Sequence, residues 1–171
     1  LPEIKLKINP ELIYFGNFKG NEYLTYTYYS SVTKQGTYVS SDNYLFGYIG
    51  DDNTLKKGLL IKIKTMNEGY WLEDLYSQEK NILDSGYLNF DGERYQYVIK
   101  ADSRICCKDA EEIIMDKGYK IPTCILMQKL GRRVGAQDNI RIDLFYIEDI
   151  NYEQENKYQC SDWSNASLLK D

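Results

Sequence analysis

The chain has 171 residues, four cysteines, no histidine and a net charge of −5. Without histidine it cannot activate a serine or cysteine nucleophile in the usual way, nor supply the nitrogen ligands of common zinc sites. The acidic balance, with basic residues dispersed along the chain, argues against a nucleic-acid partner.

The first part of the chain is predicted to be an antiparallel meander. Alternating apolar and polar residues predict strands over 4–8, 22–32, 37–41, 44–49 and 59–64. Turn-forming residues separate these strands at 17–21, 34–36, 41–43 and 50–53. Loops this short cannot hold the crossover helices that parallel strands need, so neighbouring strands are expected to run antiparallel.

Two helices are predicted after the meander. The first covers 71–83, where apolar residues recur at helical spacing. The second covers 110–117, with Asp109 as its N-cap and Glu112 in the capping-box position. Gly118 is suited to end this second helix, since glycine readily adopts the left-handed conformation found there.

Two hairpins complete the predicted sheet. The first joins strands 87–90 and 94–100 through Asp91-Gly92, a dipeptide typical of two-residue hairpin turns. The second joins 124–134 to 140–147; its first segment is ambiguous, and a strand is preferred because glycines weaken a helix. The prediction is one α+β domain over 1–150, with a largely antiparallel sheet and two helices packed on it. A polar tail, 151–171, would be pinned through Cys160.

The cysteines indicate disulfides. Cys106 and Cys107 are adjacent, and Cys124 and Cys160 follow. An adjacent pair is sterically poor, so Cys106 and Cys107 are expected to bond, in either order, with Cys124 and Cys160. Free thiols in a cytosolic protein and a four-thiolate metal site are the alternatives, although no Cys-x-x-Cys spacing supports a metal.

Two groups of residues are candidates for ligand binding. Arg132 and Arg133, flanked by glycines, could hold a carboxylate or phosphate, or could belong to a solvated strand. The chain also has 17 tyrosines. Tyrosines suit strands whose faces are partly exposed to solvent, but they also suit a recognition surface. The tyrosines proposed to bind a ligand are Tyr26, Tyr28, Tyr95 and Tyr97.

The function predicted from these features is non-enzymatic binding. No Ser-x-x-Lys or Gly-x-Ser-x-Gly motif is present, and no metal or cofactor is expected. No apolar run approaches the roughly 18 residues of a membrane helix. We therefore expect a binding or protein-interaction domain with a protein or small-molecule ligand. The alternatives are a glycan hydrolase that uses carboxylates and tyrosine, and a subunit of a larger surface assembly.

The expected location is outside the cytoplasm, either periplasmic or secreted, because disulfides persist there. The chain starts Leu1-Pro2 rather than with methionine, which is expected either of a processed mature protein or of a trimmed piece of a longer chain. A cytoplasmic location is the alternative, and free thiols would favour it.

Overall fold

The structure is a computed structural model that describes residues 6–27, 34–67, 82–90, 92–134, 139–152 and 160. These residues form seven strands and one helix, and the strands pair antiparallel in one sheet. The strands are β1 (Ile13–Thr27), β2 (Lys34–Ile49), β3 (Leu55–Met66), β4 (Ile82–Phe90), β5 (Glu93–Asp102), β6 (Ile125–Val134) and β7 (Ile140–Asp149). The helix, α1, is Lys108–Asp116. The predicted antiparallel sheet is confirmed.

The strand order is β1-β2-β3-β7-β6-β5-β4, so β1 and β4 form the two edges. The N-terminal meander joins the later strands because β7 pairs with β3, with Leu60 opposite Phe145. Side chains alternate between two faces along each strand. The helix face, on which α1 packs, carries residues such as Leu60 and Phe145, and the opposite face carries residues such as Ile61 and Leu144.

The main core lies between α1 and the helix face. Ala110 and Ile114 of α1 are fully buried there, because residues four apart lie on the same side of a helix. The sheet and the segment before α1 contribute the remaining buried residues, which are Phe15, Leu45, Leu55, Leu60, Ile105, Ile125, Met127, Phe145 and Ile147. This packing holds the N-terminal end of α1 in a fixed position over the sheet.

Strands β1 and β2 are longer than predicted. The turns expected at 17–21 and 41–43 are absent, because Lys19 pairs with Asp42 and Gly20 pairs with Ser41 within the ladder. The buried Asn43 side chain explains part of this continuity: its Nδ2 donates to the Phe18 carbonyl at 3.1 Å and to Ser41 Oγ at 3.0 Å. Turn-forming residue types are thus held extended by contacts between the strands.

The strand predicted over 4–8 is not seen in its described part, residues 6–8, which form no strand. A turn separates this segment from β1, with the Leu12 amide donating to the Asn9 carbonyl at 3.0 Å. Pro10 lies inside that turn and has no N–H to donate to a ladder.

The two predicted helices are not both confirmed, since the part of the chain that the structure describes contains only α1. Residues 71–81 of the first predicted helix lie outside that part, and Ile82 and Leu83 begin β4. The second helix begins earlier than predicted: Cys107, not Asp109, precedes its first turn, and the Cys107 carbonyl accepts the Glu111 amide at 3.3 Å. It ends before Gly118, whose φ of +81° suits glycine.

The disulfide pairing also differs from the prediction. Cys124 bonds to Cys160, with their Cα atoms 5.1 Å apart, and Cys106 and Cys107 keep free thiols. Cys124 immediately precedes β6 and is fully buried, so the bond ties residue 160 to the start of that strand. Among the described residues, no helix is long and apolar enough to cross a membrane.

Candidate functional site

Two cysteine thiols touch each other at the start of α1. Cys106 Sγ lies 3.4 Å from Cys107 Sγ, in a position to donate its S–H to the neighbouring sulfur. Cys107 is the residue immediately before the helix, and its backbone is extended. The amide groups of the first helical turn therefore give a positive potential near Cys107.

These surroundings shift the pKa values of the two thiols in opposite directions. The pKa of Cys107 is lowered to about 6, mainly by the hydrogen bond from Cys106, with the Lys62 ammonium and the Ala110 amide assisting against burial. The pKa of Cys106 is raised, because that hydrogen bond and burial both favour its neutral form. The contact thus favours the thiolate form of Cys107 and the neutral thiol form of Cys106.

Two lysines supply positive charge beneath the thiols. Lys62 of β3 and Lys129 of β6 flank the Phe145 ring, with their Nζ atoms 5.6 and 5.3 Å from its centroid. Both ammonium groups act electrostatically on Cys106, in the direction that favours a thiolate. A cation over an aromatic face is favourable, so Phe145 helps to hold both lysines near the thiols.

The thiols open into a cleft of about 680 Å³. Basic side chains outnumber acidic ones in its wall: Lys100, Arg104, Lys108 and Lys129 against Asp102 and Glu111. Lys100 pairs with Asp102 at 2.8 Å, and Lys108 pairs outside the cleft wall with Glu112 at 3.0 Å. The cleft therefore combines a nucleophilic sulfur with a positive lining, which attracts small anions.

A second candidate site is a row of aromatic side chains on the opposite face of β1 and β2. This tyrosine strip consists of Tyr14, Tyr23, Tyr38, Tyr44 and Phe46. Tyr23 faces Tyr38 with ring centroids 4.9 Å apart, and Tyr14 faces Phe46 at 5.2 Å. Tyr14, Tyr23 and Tyr38 are 52%, 55% and 63% exposed, so most of each ring meets solvent.

The strip runs along an edge of the sheet. Tyr14 and Tyr23 are nine residues apart on β1, which corresponds to about 30 Å of extended chain. Between them, Lys19 and Asp42 form an exposed ion pair at 3.9 Å. The described strands pair β1 only with β2, so the outer edge of β1 presents backbone groups that can bind another strand.

The predicted binding residues are only partly brought together. Arg132 lies on the opposite face near Tyr95, with its guanidinium 5.4 Å from the ring centroid, and it pairs with Glu93 at 2.6 Å. Tyr97 is two residues further along the same face and donates its hydroxyl to Asp84 at 3.0 Å. This hydrogen bond raises the pKa of Tyr97, because the carboxylate favours the protonated phenol.

The other predicted residues lie elsewhere. Arg133 is opposite Arg141 in the ladder and therefore lies on the helix face, away from Arg132. Tyr26 is near the far end of β1, opposite Gln35, and Tyr28 lies outside the described residues. Ligand binding by these six residues remains a prediction.

The sequence pattern did not single out Cys107, and the tyrosines that it suggested for binding differ from those of the tyrosine strip. The activated Cys107 could have been recognised from two cysteines placed directly before a predicted helix start, where thiol pKa values fall. Of the tyrosines predicted to bind a ligand, Tyr26 lies near the end of β1, and Tyr28 lies outside the described residues. The register places Tyr23 opposite Tyr38 on the exposed face, while Leu24 packs against Val39 and Met66.

Within the described ranges, no cluster of three or more cysteine, aspartate or glutamate side chains is arranged to hold a metal ion. Comparison of the chain with protein-family models, with curated proteins and with solved structures finds no match.

Proposed function

We propose that this protein is a non-enzymatic interaction domain that works outside the cytoplasm and binds an extended segment of a partner protein along β1. The observation that carries the proposal is the exposed tyrosine strip on the edge hairpin β1–β2. Tyrosine contributes a large contact area at low entropic cost, and it is enriched in protein interfaces.

An extended polypeptide fits this site better than a compact small molecule. The outer edge of β1 offers main-chain hydrogen bonds, and these favour a partner that adds one more strand to the sheet. Tyr14 and Tyr23 lie on one face near the two ends of β1, so an added strand paired along this edge would pass both rings. Backbone pairing would give affinity, and contacts with the tyrosine rings would give sequence preference.

The disulfide supports the proposed location. Cys124 and Cys160 form a bond that closes a loop across 36 positions. Such bonds form and persist mainly in secreted, periplasmic and surface proteins. An oxidising environment therefore agrees with the bonded state of these two cysteines.

Selection from a displayed library of random peptides tests the binding mode. We expect the wild-type chain to enrich peptides that alternate aromatic or β-branched residues with polar ones. The double variant Tyr23→Thr/Tyr38→Thr should bind these peptides at least about tenfold more weakly, because it removes two large exposed rings while keeping strand propensity. Tyr87→Thr is the matched control, since Tyr87 is an exposed tyrosine of β4 at the other edge.

Two outcomes would contradict the proposal. Peptides that bind wild type and the double variant equally well would show that the tyrosine strip is not the binding site. Self-association that depends on the same tyrosines, measured by sedimentation, would identify a second copy of the chain as the occupant in place of another protein.

The proposed location has a separate test by alkylation and intact mass on protein from its native compartment. The denatured, unreduced chain should accept two alkyl groups, at Cys106 and Cys107, and the reduced chain should accept four. Four groups without reduction would show that the disulfide does not form there, and would move the protein to a reducing compartment.

A further inference from the structure

The cleft beside α1 carries an inference that is independent of the tyrosine strip. It lies on the helix face, and the strip lies on the opposite face. Its two sulfur atoms are in contact at 3.4 Å, and basic side chains line the space in front of them. A cysteine pair with a purely structural role would need neither an open cleft in front of it nor basic side chains that line this cleft.

We propose that Cys107 is a thiol–disulfide exchange site that takes an anionic, low-molecular-weight disulfide and retains half of it as a mixed disulfide. Arg104 and Lys108 are exposed at the cleft and can contact carboxylates of such a molecule. The oxidised Cys124–Cys160 bond shows that the fold is compatible with an environment that contains disulfides. In such an environment a small disulfide can serve as the co-reactant that Cys107 attacks.

The exchange step conserves atoms and electrons. The Cys107 thiolate attacks one sulfur of the small disulfide, a new S–S bond forms, and the original S–S bond breaks. The electron pair leaves with the second half of the molecule as a thiolate. One sulfur centre is oxidised from thiolate to disulfide while the released half is reduced, so no further oxidant is required.

Cys106 acts as a positioning residue in this scheme. Its S–H donates to Cys107 and keeps that sulfur in the reactive thiolate form. Cys106 stays protonated, because burial and its hydrogen bond raise its pKa. A disulfide between adjacent residues also strains the backbone, so the mixed disulfide is expected to persist rather than be displaced by Cys106.

The test uses two chromogenic disulfides on the full chain with its native disulfide intact. Dithiobis(nitrobenzoic acid) is the anionic probe, and dithiodipyridine is the neutral probe. We expect one released chromophore and one mass adduct per chain, mapped to Cys107, with a rate that rises through a midpoint near pH 6. Cys107→Ser should remove this reaction, and Cys106→Ala, which removes the hydrogen-bond donor, should move the midpoint toward the value of about 8.5 for an ordinary thiol.

Charge variants test whether the cleft selects anions. Arg104→Gln and Lys108→Gln should each slow the anionic probe by about threefold, leave the neutral probe unchanged, and make the reaction less sensitive to salt. Lys117→Gln is the matched control, because Lys117 is an exposed lysine that follows α1 outside the cleft wall. These surface substitutions keep the test valid if a cysteine variant fails to fold.

Three results would overturn the proposal. An adduct on Cys106 would show that Cys107 is not the nucleophile. Release of two chromophores with no adduct would show a Cys106–Cys107 disulfide as the product. Equal rate ratios for the two probes in wild type and in both charge variants would show that the cleft does not select anions.

Discussion

Two glycines that face each other across β2 and β3 make a matched pair for testing the packing of the core. Gly47 and Gly58 are direct partners in the ladder, and both lie on the helix face. A methyl group at Gly47 would lie 2.5 Å from Phe15 Cε2 and 2.7 Å from Leu55 Cδ1. A methyl group at Gly58 would have its nearest neighbour, Ile147 Cβ, at 3.5 Å.

The magnitude of the difference follows from these distances. Phe15 and Leu55 are buried in the main core, so neither can move aside without disturbing its neighbours. Overpacking of this kind costs about 1–3 kcal/mol. Replacing a glycine by alanine in a compatible conformation gains about 0.4–1 kcal/mol through the unfolded state. Gly47→Ala should therefore be about 2 kcal/mol less stable than Gly58→Ala.

Urea unfolding followed by circular dichroism measures this difference directly. A chain of this size should also show midpoints of thermal unfolding about 4–8 °C apart for the two variants. Equal stabilities of Gly47→Ala and Gly58→Ala would refute the packing of Phe15 and Leu55 against Gly47, because the two sites share strand pairing and face and differ in the space available.

Three further predictions concern bonds and charges. Reducing the Cys124–Cys160 bond should lower the free energy of unfolding by about 4 kcal/mol, from the loop it closes across 36 positions; a loss below about 1 kcal/mol would contradict this. Asp143→Ala should cost about 3–5 kcal/mol, because it removes the buried carboxylate that lies 2.6 Å from the Nε of the buried Arg141 side chain. The double change Arg141→Met/Asp143→Leu should cost less, and an equal cost would refute the pairing. The Asp52 carboxyl, hydrogen-bonded to Lys56, has its pKa lowered from 3.8 to about 2, so it stabilises the fold above about pH 4 and loses that contribution as the pH falls toward 2. An NMR titration midpoint at 3.8 would contradict this shift.

Local patterns in the sequence predicted several elements correctly. The hairpin around Gly92 forms between β4 and β5, with Phe90 opposite Glu93 and a φ of +76° at the glycine. Alternating residues predicted β7, and the preference for a strand over a helix at β6 is confirmed. These elements depend on neighbours close in the chain, which is why periodicity and turn chemistry were sufficient.

The remaining features depend on contacts between distant residues. The pairing of β3 with β7 brings Lys62 to the side of Phe145 opposite Lys129 of β6, and no local pattern indicates that arrangement. The disulfide also joins distant residues, since Cys124 and Cys160 are 36 positions apart in the chain. The candidate site was therefore missed as a cluster, although each of its residue types was visible in the sequence.

The two pairs of cysteines are suited to opposite tasks. Cys124 is fully buried, Cys160 is partly exposed, and their bond closes a long loop, so reduction must overcome the stability that loop closure contributes. Cys107 faces a cleft, and the features that lower its pKa also make its thiolate a good leaving group. Under the proposed exchange we expect both attack by Cys107 and its release to proceed near neutral pH, so that excess small thiol reverses a mixed disulfide formed there. In the same environment the Cys124–Cys160 bond would persist, whereas a mixed disulfide at Cys107 would form and break with the balance between small thiols and small disulfides.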